Sequence, residues 1–354
     1  MFLPSQLSVL SAIAYCGIGF FSNHSHLHVL SEDMVAFHNL MRNNHQDAQL
    51  LFIAPFMQLV MDLVGSNPSS RQGTAAVSAM EGRGSSDPPT LASAANETVG
   101  DDDKIKTGTD LILLKGEYFD FDRDFKVAED TKNEIVVAWL NFLHLLSSAL
   151  FNDYTTAYQA MVDLSKSNTE AFPPHNTAYR MLLEGITSLS VEPESLQDMT
   201  KAKQCLKKIQ TLVKHSPSNY HHIATLLEAE ILAYKVTNSN KKTSRLRSLL
   251  LSKKTCRNRQ TKLFEEVVAK YNDAAMEARD QGFVLIEAMS YERCARFHHQ
   301  LQLQQQLRQQ HLSNSDEEQD CYETTIRPLL VKSQSLYDSW GAHSKARQVV
   351  ENLL

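Results

Sequence analysis

Residues Lys262 to Gln300, KLFEEVVAKYNDAAMEARDQGFVLIEAMSYERCARFHHQ, read as two antiparallel helices joined by one tight turn. In the first, Phe264, Val267, Val268, Tyr271, Ala274, Ala275 and Ala278 recur at three- and four-residue spacing and share one face, with Glu265, Glu266, Lys270 and Arg279 opposite. Gln281-Gly282 predicts the end of that helix, because glycine takes the left-handed conformation that a helix C-terminus often needs. Val284, Ala288, Tyr291 and Ala295 repeat the pattern in the second. Small alanines let two helix backbones approach while a tyrosine ring fills the remaining space. Tyr271, Ala274, Ala278, Gly282, Ala288, Tyr291 and Ala295 are therefore the expected core of a stacked hairpin, the unit of a helical repeat.

The same pattern extends outward. Met34, Phe37, Leu40 and Met41 follow a helix start at Ser31-Glu32-Asp33, and Gln49 to Val64 makes a stronger apolar helix that stops at Gly65. From Val136 the pattern resumes through Trp139, Leu143, Leu146 and Leu150, bends at Asn152-Asp153-Tyr154, and continues through Ala157, Met161 and Leu164. Pro173-Pro174-His175 and His215-Ser216-Pro217 break the chain between further helices, and the last helices carry Ile326, Leu330, Tyr337 and Trp340 up to Gly341. Three stretches depart from the pattern. Ser, Gly, Pro and Asp dominate Ser66 to about Asp110, too polar to offset its ordering entropy. Asn238 to Gln260 holds Lys241, Lys242, Arg245, Arg247, Lys253, Lys254, Arg257 and Arg259 with no acid among them, and Gln300 to Gln310 is a glutamine tract. The expected organisation is N-terminal helices over 1–65, a largely disordered insertion over 66–133, hairpin repeats over 134–237, a basic insertion over 238–262, and C-terminal hairpins over 263–354 with a Gln-rich insertion at 300–319.

At 354 residues with 42% hydrophobic and 21% charged side chains, and only 12 Gly and 10 Pro, the chain can bury a sizeable core of long helices. An all-α fold follows. A net charge of −6 gives no overall attraction to nucleic acid or to an anionic membrane, so neither is an expected partner. Cys16, Cys205, Cys256, Cys294 and Cys321 lie far apart, with no CxxC, and suggest neither a disulfide framework nor a zinc site. A cytoplasmic location is the default, with nuclear import through the basic insertion as an alternative. The apolar stretch Leu7 to Phe21 is expected to be a buried first helix, since no Lys or Arg precedes it and it is too short to span a bilayer; a signal peptide or anchor is the alternative.

Tyr271-Asn272-Asp273-Ala274-Ala275, Ala278-Arg279, Gln281-Gly282-Phe283, Glu287-Ala288, Ala295-Arg296-Phe297 and Tyr337-Asp338-Ser339-Trp340-Gly341-Ala342 with Lys345 resemble a helical region of large signalling ATPases. Leu150-Phe151-Asn152-Asp153-Tyr154 is similar to that family's Leu-Phe-Gly-Asp-Tyr turn, with Asn152 replacing glycine; Leu206 to Glu230 and Gln49 to Gly65 resemble other helices of the same region. The family joins a serine/threonine-kinase-like domain, a P-loop ATPase, a tetratricopeptide-like solenoid and often a sensor histidine kinase. The resemblance implies an α-solenoid of tetratricopeptide-like hairpins, in which Tyr154, Ala157, Trp340 and Gly341 join the repeat core. The catalytic signatures are missing here: the sequence contains no GxxxxGK[ST] and no kinase HRD or DFG set.

Candidate chemistry is sparse. His24, His26 and His28 would converge on a metal only along a strand, and Glu228 and Glu230, two residues apart on a helix, face away from each other. The basic segment is read first as a solvated insertion, then as a nuclear-import or nucleic-acid patch or a calmodulin-type target. The expectation is a non-catalytic protein-protein interaction scaffold without cofactor, metal or evident small-molecule substrate. It would be the solenoid segment or stand-alone derivative of a signalling ATPase/kinase, contacting a protein, a peptide or the neighbouring ATPase/kinase domains. An independent adaptor, and a secreted or anchored helical protein, are the alternatives.

Overall fold

The computed structural model describes residues 4–22, 25–65, 114–130, 132–167, 172–242, 253–309 and 322–351. They form thirteen α-helices: α1 (Pro4–Phe21), α2 (Leu27–Asn43), α3 (Asp47–Val64), α4 (Phe121–Asp130), α5 (Glu134–Leu150), α6 (Tyr154–Leu164), α7 (Pro174–Ser190), α8 (Met199–His215), α9 (Pro217–Lys242), α10 (Lys253–Asp280), α11 (Val284–Gln309), α12 (Arg327–Trp340) and α13 (His343–Glu351). Among the described residues the only extended pairing is an isolated bridge between Lys115 and Asp120. The protein is all-α.

Local chemistry sets the helix ends. Asp153 starts α6 by accepting from the Thr156 amide at 3.1 Å, and Asp198 starts α8 by accepting from Thr200 and Lys201 at 2.7 and 3.2 Å. At the α10–α11 turn Gly282 has φ +79°, which lets the Phe283 amide reach back to the Ala278 carbonyl at 2.8 Å.

Each helix from α5 to α13 packs on the next, and α5, α7, α9 and α11 also touch in succession. Those four make an inner layer, with α6, α8 and α10 outside it. Gly185 of α7 permits the close approach to α9: a Cβ there would stand 2.7 Å from Leu227 Cδ1. The chain then returns on itself. The C-terminal α13 packs on α3, and the Trp340 ring sits 5.2 Å from that of Phe20 on α1. Phe20 also meets Phe56 at 5.2 Å, and the Tyr179 hydroxyl donates to the Phe21 carbonyl at 2.9 Å, so the end of α1 is part of the core. Among the described residues one helix, α3, is long and apolar enough to cross a membrane, with a mean hydropathy of 1.4 and 61% of that window buried.

Three boundaries differ from the sequence expectation. Within the 66–133 insertion, residues 114–130 are structured: Leu114 is buried and donates its amide to Asp62 at 2.8 Å, and α4 packs on α5 with Phe121 4.1 Å from His144. Phe121, Phe125 and Ala128 supply a short apolar face that the polar composition of the whole stretch obscures. Residues 66–113 lie outside the described residues. The 238–262 insertion is narrower than expected, because α9 runs through Lys242 and α10 begins at Lys253. Likewise α11 takes in the glutamine tract to Gln309. Lys, Arg and Gln are good helix formers, and no Gly or Pro stops either helix.

Candidate functional site

The inner layer encloses an open cavity of about 840 Å³. Its wall combines the ends of α5 and α7, the α5–α6 turn, and the α9 and α11 faces bearing Tyr234, Arg293, Arg296 and Leu303, with Tyr271 of α10 and Gln348 of α13. The turn positions its side chains because Asn152 holds the left-handed conformation at φ +65°. Asparagine tolerates that region better than most residues.

A continuous polar network starts in the wall and runs on behind it to Glu292, Tyr337 and Lys345. Arg293 donates from Nε to Glu230 Oε1 at 2.7 Å, from Nη2 to Glu230 Oε2 at 2.5 Å and to Ser190 at 3.1 Å, and from Nη1 to the Tyr154 hydroxyl. The Tyr271 hydroxyl donates to Glu230 at 2.8 Å. Tyr154 donates in turn to Asn152 Oδ1 at 2.8 Å, and the Asn152 amide donates to Glu292 Oε1 at 2.8 Å. Glu292 also accepts from Lys345 at 2.8 Å and from the Tyr337 hydroxyl at 3.0 Å. Lys345 donates to Gln348 Oε1 at 2.8 Å, and Gln348 donates to the Phe151 carbonyl. Helices α6, α7, α9, α10, α11, α12 and α13 are thereby tied together.

The electrostatics follow from burial. Burial alone would raise the Glu292 carboxyl, but Lys345 and Arg296 outweigh it and hold the group down at about 2. Burial pulls Lys345 down to about 8, against the opposing pull of Glu292. Arg296 lies 3.6 Å from Glu292, beyond hydrogen-bond reach, and its Nε is buried without an acceptor. Burial lowers His144 and His299 below the usual imidazole range. It also raises the Cys16, Cys205 and Cys294 thiols to about 12, which keeps them protonated and unreactive.

Of the residues chosen from the sequence, Ala157, Ala274, Ala278, Ala288 and Ala295 are fully buried, and Tyr271, Tyr291 and Trp340 nearly so. Gly282 and Gly341 adopt φ +79° and +93° at their helix ends. Tyr154 and Tyr271 line the cavity, and their hydroxyls carry network bonds that a packing role does not require. Lys241 and Lys242 close α9, while Lys253, Lys254, Arg257 and Arg259 lie in the first turns of α10; Arg245 and Arg247 fall outside the described residues. His26 caps α2 by accepting from the His28 amide at 3.2 Å, while His28 faces Glu32 at 3.7 Å, so these two do not converge. His24 is outside the described residues. Among the described residues no group of His, Cys, Asp or Glu is arranged to hold a metal ion.

Sequence reasoning missed Glu230, Glu292, Arg293 and Lys345 as a unit. A signal was present: Lys345 falls among Ala342, Ala346 and Val349 on a buried face, where an unpaired ammonium would not persist. Comparison of the chain with protein-family models, with curated proteins and with solved structures found no match.

Proposed function

We propose that this chain is a non-catalytic scaffold, a solenoid of tetratricopeptide-like hairpins that binds a protein partner along its helical faces. The observation that carries this reading is the two-layer succession of hairpins, in which charged groups that elsewhere do chemistry are bonded to one another across seven helices. Such a frame presents several fixed helix faces at once, which suits recognition of a partner segment or neighbouring domain. The resemblance seen in the sequence supports a signalling context, with ATPase or kinase domains as the partner class.

A photo-reactive amino acid placed singly at four exposed positions tests this: Thr211 on α8, Met276 on α10, Val331 on α12 and Leu303 at the cavity. At native expression level, one protein partner should cross-link from positions grouped on one face. Absence of any partner from all four positions, or turnover of a substrate by the purified chain, would overturn the scaffold reading.

A further inference from the structure

We propose that the inner-layer cavity is a binding site for a small organic carboxylate with an aromatic or branched apolar body. The argument begins with charge. Glu230 and Arg293 neutralise each other through two hydrogen bonds, whereas Glu292 faces two cations, Lys345 at 2.8 Å and Arg296 at 3.6 Å. Within this buried network one positive charge is left over, and Arg296, not Lys345, lies at the cavity wall, whose rim carries the exposed acids Asp153, Glu192 and Glu194. The oxygens of Glu292 already accept from Asn152, Lys345 and Tyr337, which leaves too few lone pairs for both N–H groups of the Arg296 fork.

Arg296 makes no hydrogen bond among the described residues; its Nε is buried without an acceptor and its side chain is 28% exposed. A guanidinium in that state gains charge-assisted bonds from a planar carboxylate, which it can grip with two parallel N–H groups. The local excess at Arg296 matches a monoanion. A dianionic phosphate would leave one negative charge uncompensated, beside the three exposed acids of the rim, Asp153, Glu192 and Glu194. The neutral side of the wall, with Tyr234, Phe297, Leu189 and Leu303, calls for an apolar body. A volume of about 840 Å³ matches the few hundred to about 1,000 Å³ of small-molecule sites. This site is independent of the protein partner proposed above.

The test uses the full chain and three probes: 3-phenylpropanoate, its neutral amide 3-phenylpropanamide, and phenyl phosphate. Arginine Nε–Hε correlation spectra, assigned with Arg296→Gln, read the site directly. The carboxylate should bind saturably and shift the Arg296 signal, and the amide should bind about tenfold more weakly or worse. Arg296→Gln should keep the helical circular-dichroism spectrum and lose the preference for carboxylate over amide. Leu303→Trp, which narrows the cavity from an exposed wall position, should weaken the carboxylate independently. The proposal is overturned by no saturable carboxylate binding up to about 10 mM, by equal binding of the amide, by an Arg296→Gln variant that binds as before, or by tighter binding of phenyl phosphate.

Discussion

Lys345 Nζ stands 2.8 Å from Glu292 Oε1, an ion pair that joins α13 to α11 across 53 residues of chain with side chains only 1% and 4% exposed. Removing one partner of a buried pair leaves the other charge without compensation, which costs about 3–5 kcal/mol, whereas replacing both with apolar groups is far milder. Lys345→Met should therefore lower unfolding stability by about that amount in urea titrations. Lys345→Met combined with Glu292→Met should cost clearly less than the sum of the two single losses, although Asn152, Tyr337 and Arg296 also lose Glu292. Additive single effects would show that the two side chains do not act as a pair.

The same carboxylate sets an acid limit. Its folded value of about 2 lies below the ordinary 4.5, so the unfolded chain binds the extra proton between those values. The contribution of Glu292 is complete above about pH 4.5 and is lost as pH falls toward about 2. In that window the stability of the native sequence should fall more steeply than that of Glu292→Gln, by up to about 1.4 kcal/mol per pH unit. Parallel profiles would remove Glu292 from this role.

Asn152 serves both backbone and network, with φ +65° and side-chain bonds of 2.8 Å to Tyr154 and to Glu292. Asn152→Gly keeps the backbone but loses both bonds, at about 1–3 kcal/mol. Asn152→Ala loses the same bonds and adds about 1 kcal/mol of left-handed strain. Thermal unfolding should rank native above glycine above alanine, and the reverse order of the two variants would contradict the assignment.

Gly185 faces fully buried Leu227, and a methyl group there would meet Leu227 Cδ1 at 2.7 Å and Cδ2 at 3.0 Å. Gly185→Ala should cost about 1–3 kcal/mol by overpacking. Adding Leu227→Val should relieve part of that loss, a coupling measurable in a double-mutant cycle. At Gly282 nothing stands within 4 Å, so Gly282→Ala should cost only the strain of its φ +79°, about 1 kcal/mol.

Much of the helix pattern was legible in the sequence because the forces that set it are local. Three- and four-residue spacing placed Ala274, Ala278, Ala288 and Ala295 on apolar faces, and all are buried. Glycines at 65, 282 and 341 marked helix ends, where each adopts a positive φ. Composition failed where it was averaged over a window, hiding the Phe121–Phe125 face of α4 and the helical lysines and glutamines of α9, α10 and α11.

The sequence by itself determined the all-α class and which face of many helices turns inward, since periodicity is a property of neighbours along the chain. Only the tertiary structure decided which face meets which. Periodicity carries no information about partners 140 residues away, such as Asn152 and Glu292, or about Trp340 returning to Phe20. The cavity and the Arg296 guanidinium without a hydrogen bond arise from that closure, because a carboxylate that looks solvated in one helix becomes a shared buried anion once three helices surround it.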